Sequence, residues 1–403
     1  MPAQLPQISI EQVGPLDAAA EVDLLLAAHA SGRANAWVRN RLVELLLELD
    51  RFDEVIALLG GDVAELDFEL CLALTKACFF TRKADVIKAT LALRAAECAL
   101  SRSTDNEMRA RALCDRGKAL FELGRAGEGA DCLQQSFFLD RHSIMPFKRY
   151  AMHLLREGEF AGLEAITASM IAEGMLHANI ISARVLALAG LNQTTAAREL
   201  AGFDRFTHKE TIEAPSNWLD LAAFNAQLAD EIRTNPGMRF ERFGTASQHT
   251  WRVDAPSRGR TPAIHALLEA IAALATRWIA ALPQDGHHWL AARPQALELN
   301  CWCVITGPEG FERWHFHPAG WISGSYYVEV PAAVAQGNDK AGCFAFGLPA
   351  RDVGAEAAEQ FGEALVRPSP GMLTLFPSHA QHSTHPHRAE GQRICLAFDL
   401  CPA

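Results

Sequence analysis

Proline is distributed very unevenly along this chain. Between Pro15 and Pro215 only Pro146 occurs, whereas 15 of the 19 prolines lie from Pro215 onward. A proline inside a helix removes a hydrogen bond and clashes with the preceding turn, so the long stretch nearly free of it is expected to be helical. That stretch is also rich in Ala, Leu, Glu and Arg, residues that favour helix. Beyond residue 215 the texture reverses. Seven of the 8 tryptophans and ten of the 15 histidines lie between Trp218 and His387, and Gly and Pro punctuate short apolar runs. At 403 residues the chain exceeds one average core. The break therefore predicts a helical domain over 1–214, a linker over 215–240 and a β-rich domain over 241–403.

The first region repeats itself. A helix, a short polar turn and a second helix can be read at 47–59, 79–91, 121–133, 155–166 and, less clearly, 188–200, with turns at Asp50, Lys83, Gly124, Gly158 and Leu191. Those turns are 33, 41, 34 and 33 residues apart, a period that fits stacked helical hairpins with one insertion near 99–107. The clearest unit, Ala112 to Asp140, places Gly117, Ala119, Leu120, Gly124, Ala130 and Ser136 at the helix contacts. It resembles a tetratricopeptide repeat, and the resemblance extends more loosely over about 20–210. Stacks of this kind commonly hold peptides in a concave groove, so the expected partner is a peptide or protein. The alternative role is simple packing on the second domain.

The 49% hydrophobic and 21% charged composition is that of an ordinary globular protein. A net charge of −11 argues against a nucleic-acid backbone as partner. The N-terminus lacks the basic and apolar segments of a secretory signal. The most apolar stretch, Pro262 to Leu282, is interrupted by His265, Glu269 and Arg277, as in an amphipathic helix. No membrane association is expected, and a cytoplasmic location is the default. The 10 cysteines form no C-x-x-C pair and are expected as buried thiols, although Cys301 and Cys303 share a strand face.

After a helix over 262–282, the runs LELNCWCVI (297–305), WISGSYYVEV (321–330), GCFAFG (342–347), MLTLF (372–376) and RICLAFDL (393–400) read as strands of an all-β sandwich or barrel. The segment WHFHPAGWISGSYYV (314–328) places His315 and His317 two residues apart, so on a strand both imidazoles point to one side. His379, His382, His385 and His387 cluster after MLTLF, and Arg393 follows His382 by eleven residues. An arginine heading a buried apolar strand calls for an anionic partner.

In order, His315-Phe316-His317, His382 and Arg393 resemble the Fe(II)/2-oxoglutarate-dependent oxygenases, and HFHPAGWISGSYYV, PGMLTLFPS and the final strand resemble a branch with an H-x-H-P motif and an S-G-x-Y-Y strand. The resemblance covers about 235–403. It implies a multidomain α+β chain whose C-terminal domain is a double-stranded β-helix, or jelly roll. It also implies iron(II) held by His315, His317 and His382, and 2-oxoglutarate anchored by Arg393 with Tyr327 in contact. With O2 as the other cosubstrate, hydroxylation of a peptide or protein side chain is expected, leaving halogenation and desaturation open.

The sequence departs from the superfamily pattern in two places. His317 occupies the usual carboxylate position, so it is either the third ligand, a residue orienting substrate or water, or itself the first ligand with Ala319 at an open position. Cys395 stands where serine is usual, and a thiol binds a carboxylate less well. His379, His385 and His387 are expected as solvated loop residues, and Trp314, Phe316 and Trp321 as packing. The competing readings are a repeat scaffold with a catalytically silent barrel and a cupin-type metalloenzyme. A cupin would require a glutamate where Trp321 and Ile322 stand. The oligomeric state is not legible in the sequence.

Overall fold

The computed structural model describes residues 5–11, 18–32, 35–81 and 85–403; the turn expected at Lys83 lies outside them. Two compact units emerge, Leu16–Glu157 and Met1–Pro15 with Gly158–Ala403.

The first unit is entirely helical among its described residues: α1 (Ala18–Ala30), α2 (Ala36–Glu48), α3 (Phe52–Leu59), α4 (Phe68–Phe80), α5 (Val86–Arg102), α6 (Asn106–Glu122), α7 (Ala126–Leu139) and α8 (Ile144–Arg156), with a short 3₁₀ turn at Val63–Glu65. Their starts are written locally. Asn35, Asp67, Asp85 and Asp105 each accept a hydrogen bond from the backbone N–H three residues on, which satisfies an orphan donor of the first turn. The connections after α2 and α6 share one device. Asp50 and Gly124 adopt left-handed backbone conformations, and the next residue donates back across the helix end, Arg51 N to Leu46 O at 2.8 Å and Arg125 N to Leu120 O at 2.9 Å. Between α6 and α7 the packing is close enough that a Cβ on Gly117 would lie 2.9 Å from Leu133 Cδ2 and 3.0 Å from Gly129 O.

The second unit opens with β1 (Gln7–Ile10) and resumes with α9 (Phe160–Ala172), α10 (Ala178–Gly190), α11 (Thr194–Ala201), α12 (Phe203–Phe206), β2 (His208–Thr211) and α13 (Leu221–Arg233). Then come β3 (Arg239–Phe240), β4 (Ser247–Val253), α14 (Pro262–Ala281), β5 (Ala296–Glu312), β6 (Ile322–Glu329), β7 (Phe344–Phe346), β8 (Ala364–Val366), β9 (Met372–Pro377), β10 (His382–Thr384) and β11 (Arg393–Pro402).

The chain thus divides at Gly158, and not at residue 214. α9 to α12 have the sequence texture of the helical repeats, yet they bury their faces in the sheet-bearing unit: Phe203 stacks on Phe346 at 4.9 Å, and Gln381 Nε2 donates to Ser182 Oγ at 3.1 Å. Nor is 215–240 a plain linker. It carries α13, whose Phe224, Leu228 and Ile232 lie in the core, and whose Glu231 carboxylate accepts from Ala263 N and Ile264 N at the start of α14, both at 3.0 Å.

Eight strands form one sheet in the order β2-β9-β6-β11-β5-β4-β3, with β1 running parallel to β5, and β10-β7-β8 form a second. This is the double-stranded β-helix expected of the C-terminal domain. Alternation along the central strands divides the residues between two faces. Ile394, Leu396, Phe398 and Leu400 of β11, with Leu299, Cys301 and Cys303 of β5, face a core closed by α13 and α14. Cys301 and Cys303 therefore belong to the core side. The helix α14 is the only described one long and apolar enough to cross a membrane, and its Ile264, Leu267, Leu268 and Ile271 are buried in this core. Tyr326 joins it, with its hydroxyl donating to Asn225 Oδ1 at 2.6 Å. Tyr326→Phe leaves that buried acceptor without a donor and should lower stability by about 1–3 kcal/mol, read by calorimetry, without changing any cosubstrate requirement.

Candidate active site

The opposite parity of the same strands builds the site. On β11, Arg393, Cys395 and Asp399 point away from the core, and on β6 so do Ser323 and Tyr327. His315 and His317 do not lie on a continuous strand. β5 ends at Glu312, and His315 makes a single bridge to His382, N to O at 2.9 and 2.8 Å in the two directions, while His317 N donates to Ser378 O at 2.9 Å. These backbone contacts keep both imidazoles on one side. The segment is anchored downstream by Trp321, as expected a packing residue, whose indole donates to Trp289 O at 2.9 Å while the Trp289 indole donates to Trp321 O at 2.8 Å.

The side-chain nitrogens of His315, His317 and His382 that can ligate a metal all lie within 4.8 Å of one another. Ring centroids are separated by 4.2 Å for His315–His382, 4.9 Å for His317–His382 and 5.3 Å for His315–His317. Each Nδ1 is taken by an acceptor: Arg313 O at 2.7 Å for His315, Ala380 O at 2.9 Å for His382 and Asp399 Oδ1 at 2.5 Å for His317. A carbonyl or carboxylate accepts only, so Nδ1 carries the proton and each Nε2 presents a lone pair. Burial pushes His315 down to about 3 and His382 well below the usual histidine range, and neighbouring histidines push both the same way. Neutral imidazole is the form that ligates, so donor type, number and tautomer all fit a divalent metal such as iron.

Asp399 was not among the residues singled out from the sequence. Besides His317, it accepts from Ser323 Oγ at 2.6 Å, and Ser323 is bonded to Ser378 Oγ at 2.8 Å. The only signal was parity: an acid in an otherwise apolar strand, six residues after Arg393 and so on the same face. The glycine of the H-x-H-P-A-G turn belongs to this network, since a Cβ on Gly320 would lie 2.5 Å from Ser378 Oγ and 3.3 Å from Asp399 Cγ. Asp399→Asn should weaken metal affinity about 10- to 100-fold while the chain still folds, as measured by competition with a chelating dye.

Arg393 is buried at 3% exposure and pairs with no carboxylate among the described residues. Its Nη1 donates to Gly342 O at 2.9 Å, its Nη2 makes a long contact of 3.4 Å to Thr384 Oγ1, and its Nε has no partner. A buried guanidinium left in that state fits an incoming carboxylate. Burial raises the Tyr327 phenol, with Arg393 pulling the other way, which places the two as neighbours; Cys395 sits beside them, its thiol pushed up to about 11 by burial. Near the histidines, the Trp302 ring lies 5.4 Å from His317 with the Arg252 guanidinium 4.7 Å over it. Burial raises the Glu312 carboxyl, which accepts from Ser247 Oγ at 2.7 Å.

Two histidines expected in solvent are buried instead. His379 Nε2 bonds Leu200 O at 3.2 Å and His387 Nε2 bonds Thr306 O at 3.1 Å, so both fasten loops to neighbouring elements; His385 is half-buried. Ala319 is exposed and offers no ligand.

Comparison with known proteins places this site in context. Residues 300–399 match the family described as "Putative 2OG-Fe(II) oxygenase". No curated protein matches the chain. Similar solved structures include a Pseudomonas putida prolyl-4-hydroxylase, 17% identical over 51% of this chain and 97% of that one with a TM-score of 0.33. A Trichoplax adhaerens prolyl hydroxylase in complex with a hypoxia inducible factor peptide fragment is 13% identical over 53% and 92%, TM-score 0.36. HygX from Streptomyces hygroscopicus with nickel, 2-oxoglutarate and hygromycin B bound is 15% identical over 50% and 85%, TM-score 0.32. The family uses Fe(II), 2-oxoglutarate and O2. What the comparisons give this chain is thus a match, over residues 300–399, to the 2OG-Fe(II) oxygenases, a family of enzymes.

Proposed function

We propose that the enzyme hydroxylates a side chain of a peptide or protein, with iron held by His315, His317 and His382, 2-oxoglutarate anchored by Arg393, and the helical unit Leu16–Glu157 holding the polypeptide. The observation that carries the iron assignment is that ligating nitrogens of the three imidazoles lie within 4.8 Å of one another while each Nδ1 has a backbone or carboxylate partner. When bound, iron with 2-oxoglutarate and O2 supplies the oxidation: one oxygen atom ends in succinate as CO2 is lost, and the other enters a substrate C–H bond.

The residues of the chain do the positioning. A three-histidine set brings no negative charge to the metal. Asp399 supplies one a single hydrogen bond away, through Nδ1 of His317, and fixes the orientation of that ring. The Arg393 guanidinium receives the distal carboxylate of the keto acid, with Thr384 and Tyr327 as neighbouring hydroxyl groups, and so fixes the cosubstrate relative to the histidines. Cys395 contributes packing at that end in place of a stronger donor.

Oxygen uptake by polypeptide provides the test. The full chain, loaded with Fe(II) and given 2-oxoglutarate and O2, should form succinate and add one oxygen atom to a side chain in a peptide library, as read by mass spectrometry. Succinate formation coupled only to small molecules would overturn the substrate class while leaving the cosubstrate assignment intact.

A further inference from the structure

The sheet face that carries the site residues of β11 continues across β5 onto β4. Cys395 lies opposite Val304, and Val304 opposite Arg252, so Arg252 shares the side of Arg393 and Asp399. Its side chain is held in place and only 13% exposed: Nε donates to Asp254 Oδ1 at 2.7 Å, and the guanidinium lies over the Trp302 ring that stands beside His317. Asp254 also pairs with Arg239 at 2.6 Å and Arg242 at 3.0 Å. The two Nη groups of Arg252 have no hydrogen-bond partner among the described residues. Glu312 reaches the same place from the end of β5. Its N donates to Thr384 Oγ1 at 2.8 Å, the hydroxyl that Arg393 Nη2 also approaches, and its Oε1 accepts from Ser247 Oγ, while Oε2 has no partner among the described residues. Burial raises the Glu312 carboxyl, and the Ser247 bond and the charges of Arg252, Arg393 and His317 oppose the rise; Arg252 and Glu312 sense each other in this way without forming an ion pair.

We propose that Arg252 and Glu312 are the substrate-binding pair of this site and that they hold a side-chain carboxamide, so that the residue oxidised is asparagine or glutamine; resting on the function proposed above, this adds the class of side chain. Arg252 already has a counter-ion in Asp254, so what its Nη groups lack is an acceptor, and what Glu312 Oε2 lacks is a donor. A carboxamide supplies both from the two ends of one rigid plane: its carbonyl accepts from Arg252 and its NH2 donates to Glu312. It does so whether Glu312 is ionised or protonated, since the protonated acid returns a bond to the carbonyl. A carboxylate guest would satisfy Arg252 but set its oxygens against Glu312 Oε2, and an ammonium guest would satisfy Glu312 but stand against Arg252. The Trp302 ring offers the methylene groups an apolar face beside His317. Such a pair discriminates steeply, because a guest lacking either half leaves an enclosed polar group unmet.

Binding is measured apart from turnover. The full chain, loaded with 2-oxoglutarate and with Zn(II) as an inert stand-in for Fe(II), is titrated with single amino acids blocked as N-acetyl methylamides and followed by saturation-transfer NMR. Blocked asparagine or glutamine should bind at least about tenfold tighter than blocked aspartate, lysine, serine or glycine, the last of which carries backbone amides alone. Arg252→Gln and Glu312→Leu should each lose about tenfold toward the carboxamide, the worth of one hydrogen bond, while 2-oxoglutarate still raises their unfolding temperature. The guest series on the native chain decides the point even where a variant fails to fold. Blocked aspartate binding as tightly would overturn the proposal and make Arg252 a receptor for acids; blocked glycine binding as tightly would overturn it in favour of the peptide backbone. Loss of the 2-oxoglutarate effect in a folded Arg252→Gln would also overturn it, placing Arg252 in the cosubstrate anchor. In the peptide library, oxygen added to asparagine or glutamine upholds the proposal, and oxygen added only to other side chains overturns it while the polypeptide reading stands. Carboxamide binding with no peptide oxidised would uphold the pair and overturn the polypeptide reading instead.

Discussion

His382→Gln should abolish stoichiometric iron binding and, with it, succinate formation. His382 supplies one of three converging nitrogens, and the affinity lost should exceed the 10- to 100-fold typical of removing only an outer hydrogen-bond partner. Glutamine is the informative replacement because the ring is packed among aromatic neighbours, with Phe344 and Phe376 centroids each 5.0 Å away. Alanine there would open a cavity costing on the order of 2 kcal/mol and confuse loss of metal with loss of fold. The bridge to His315 runs through backbone atoms and survives either substitution. Retained iron at native stoichiometry in His382→Gln would remove His382 from the ligand set.

Arg393→Met should act in two opposite directions. Without cosubstrate, the native chain keeps a buried cation whose only acceptors are one carbonyl and one distant hydroxyl; an apolar side chain of similar length removes that cost and should stabilise the unliganded protein by about 1–4 kcal/mol. With cosubstrate, the variant lacks the partner of the distal carboxylate, a loss of about 3 kcal/mol or a hundredfold in the 2-oxoglutarate requirement. Iron binding should persist. Paired melting curves with and without 2-oxoglutarate read both effects. A variant that is less stable when unliganded, yet still stabilised by 2-oxoglutarate, would mark Arg393 as structural.

The sequence revealed much of this site because its elements obey simple periods. The H-x-H spacing, the strand MLTLF before His382 and the arginine heading RICLAFDL all survive in the fold. Asp399 was missed because an acid in an apolar strand carries no sign of its partner: only the pairing of β11 with β6 and the return of the 315–320 turn bring it to His317. His379 and His387 were misplaced for a related reason, since loop composition suggests solvent while burial depends on what packs over the loop. The domain boundary failed at α9 to α12, where amphipathic helices look alike whether they bury their apolar faces on another helix pair or on a sheet.

The first strand carries a consequence for how the polypeptide is made. β5 is paired along Cys303–Glu312 by β4, but its beginning, Ala296–Leu299, is paired on that side by β1, residues 7–10. The helical unit is therefore spliced into a chain that leaves the sheet-bearing unit after β1 and returns to that unit at Gly158. During synthesis β1 precedes its partner by almost 290 residues. Closing so long a loop costs only logarithmically in its length. An expression clone begun at residue 158 would leave the start of β5 as a bare edge open to pairing with other copies, whereas one that splices residues 5–11 onto 158 through a short linker keeps that edge covered.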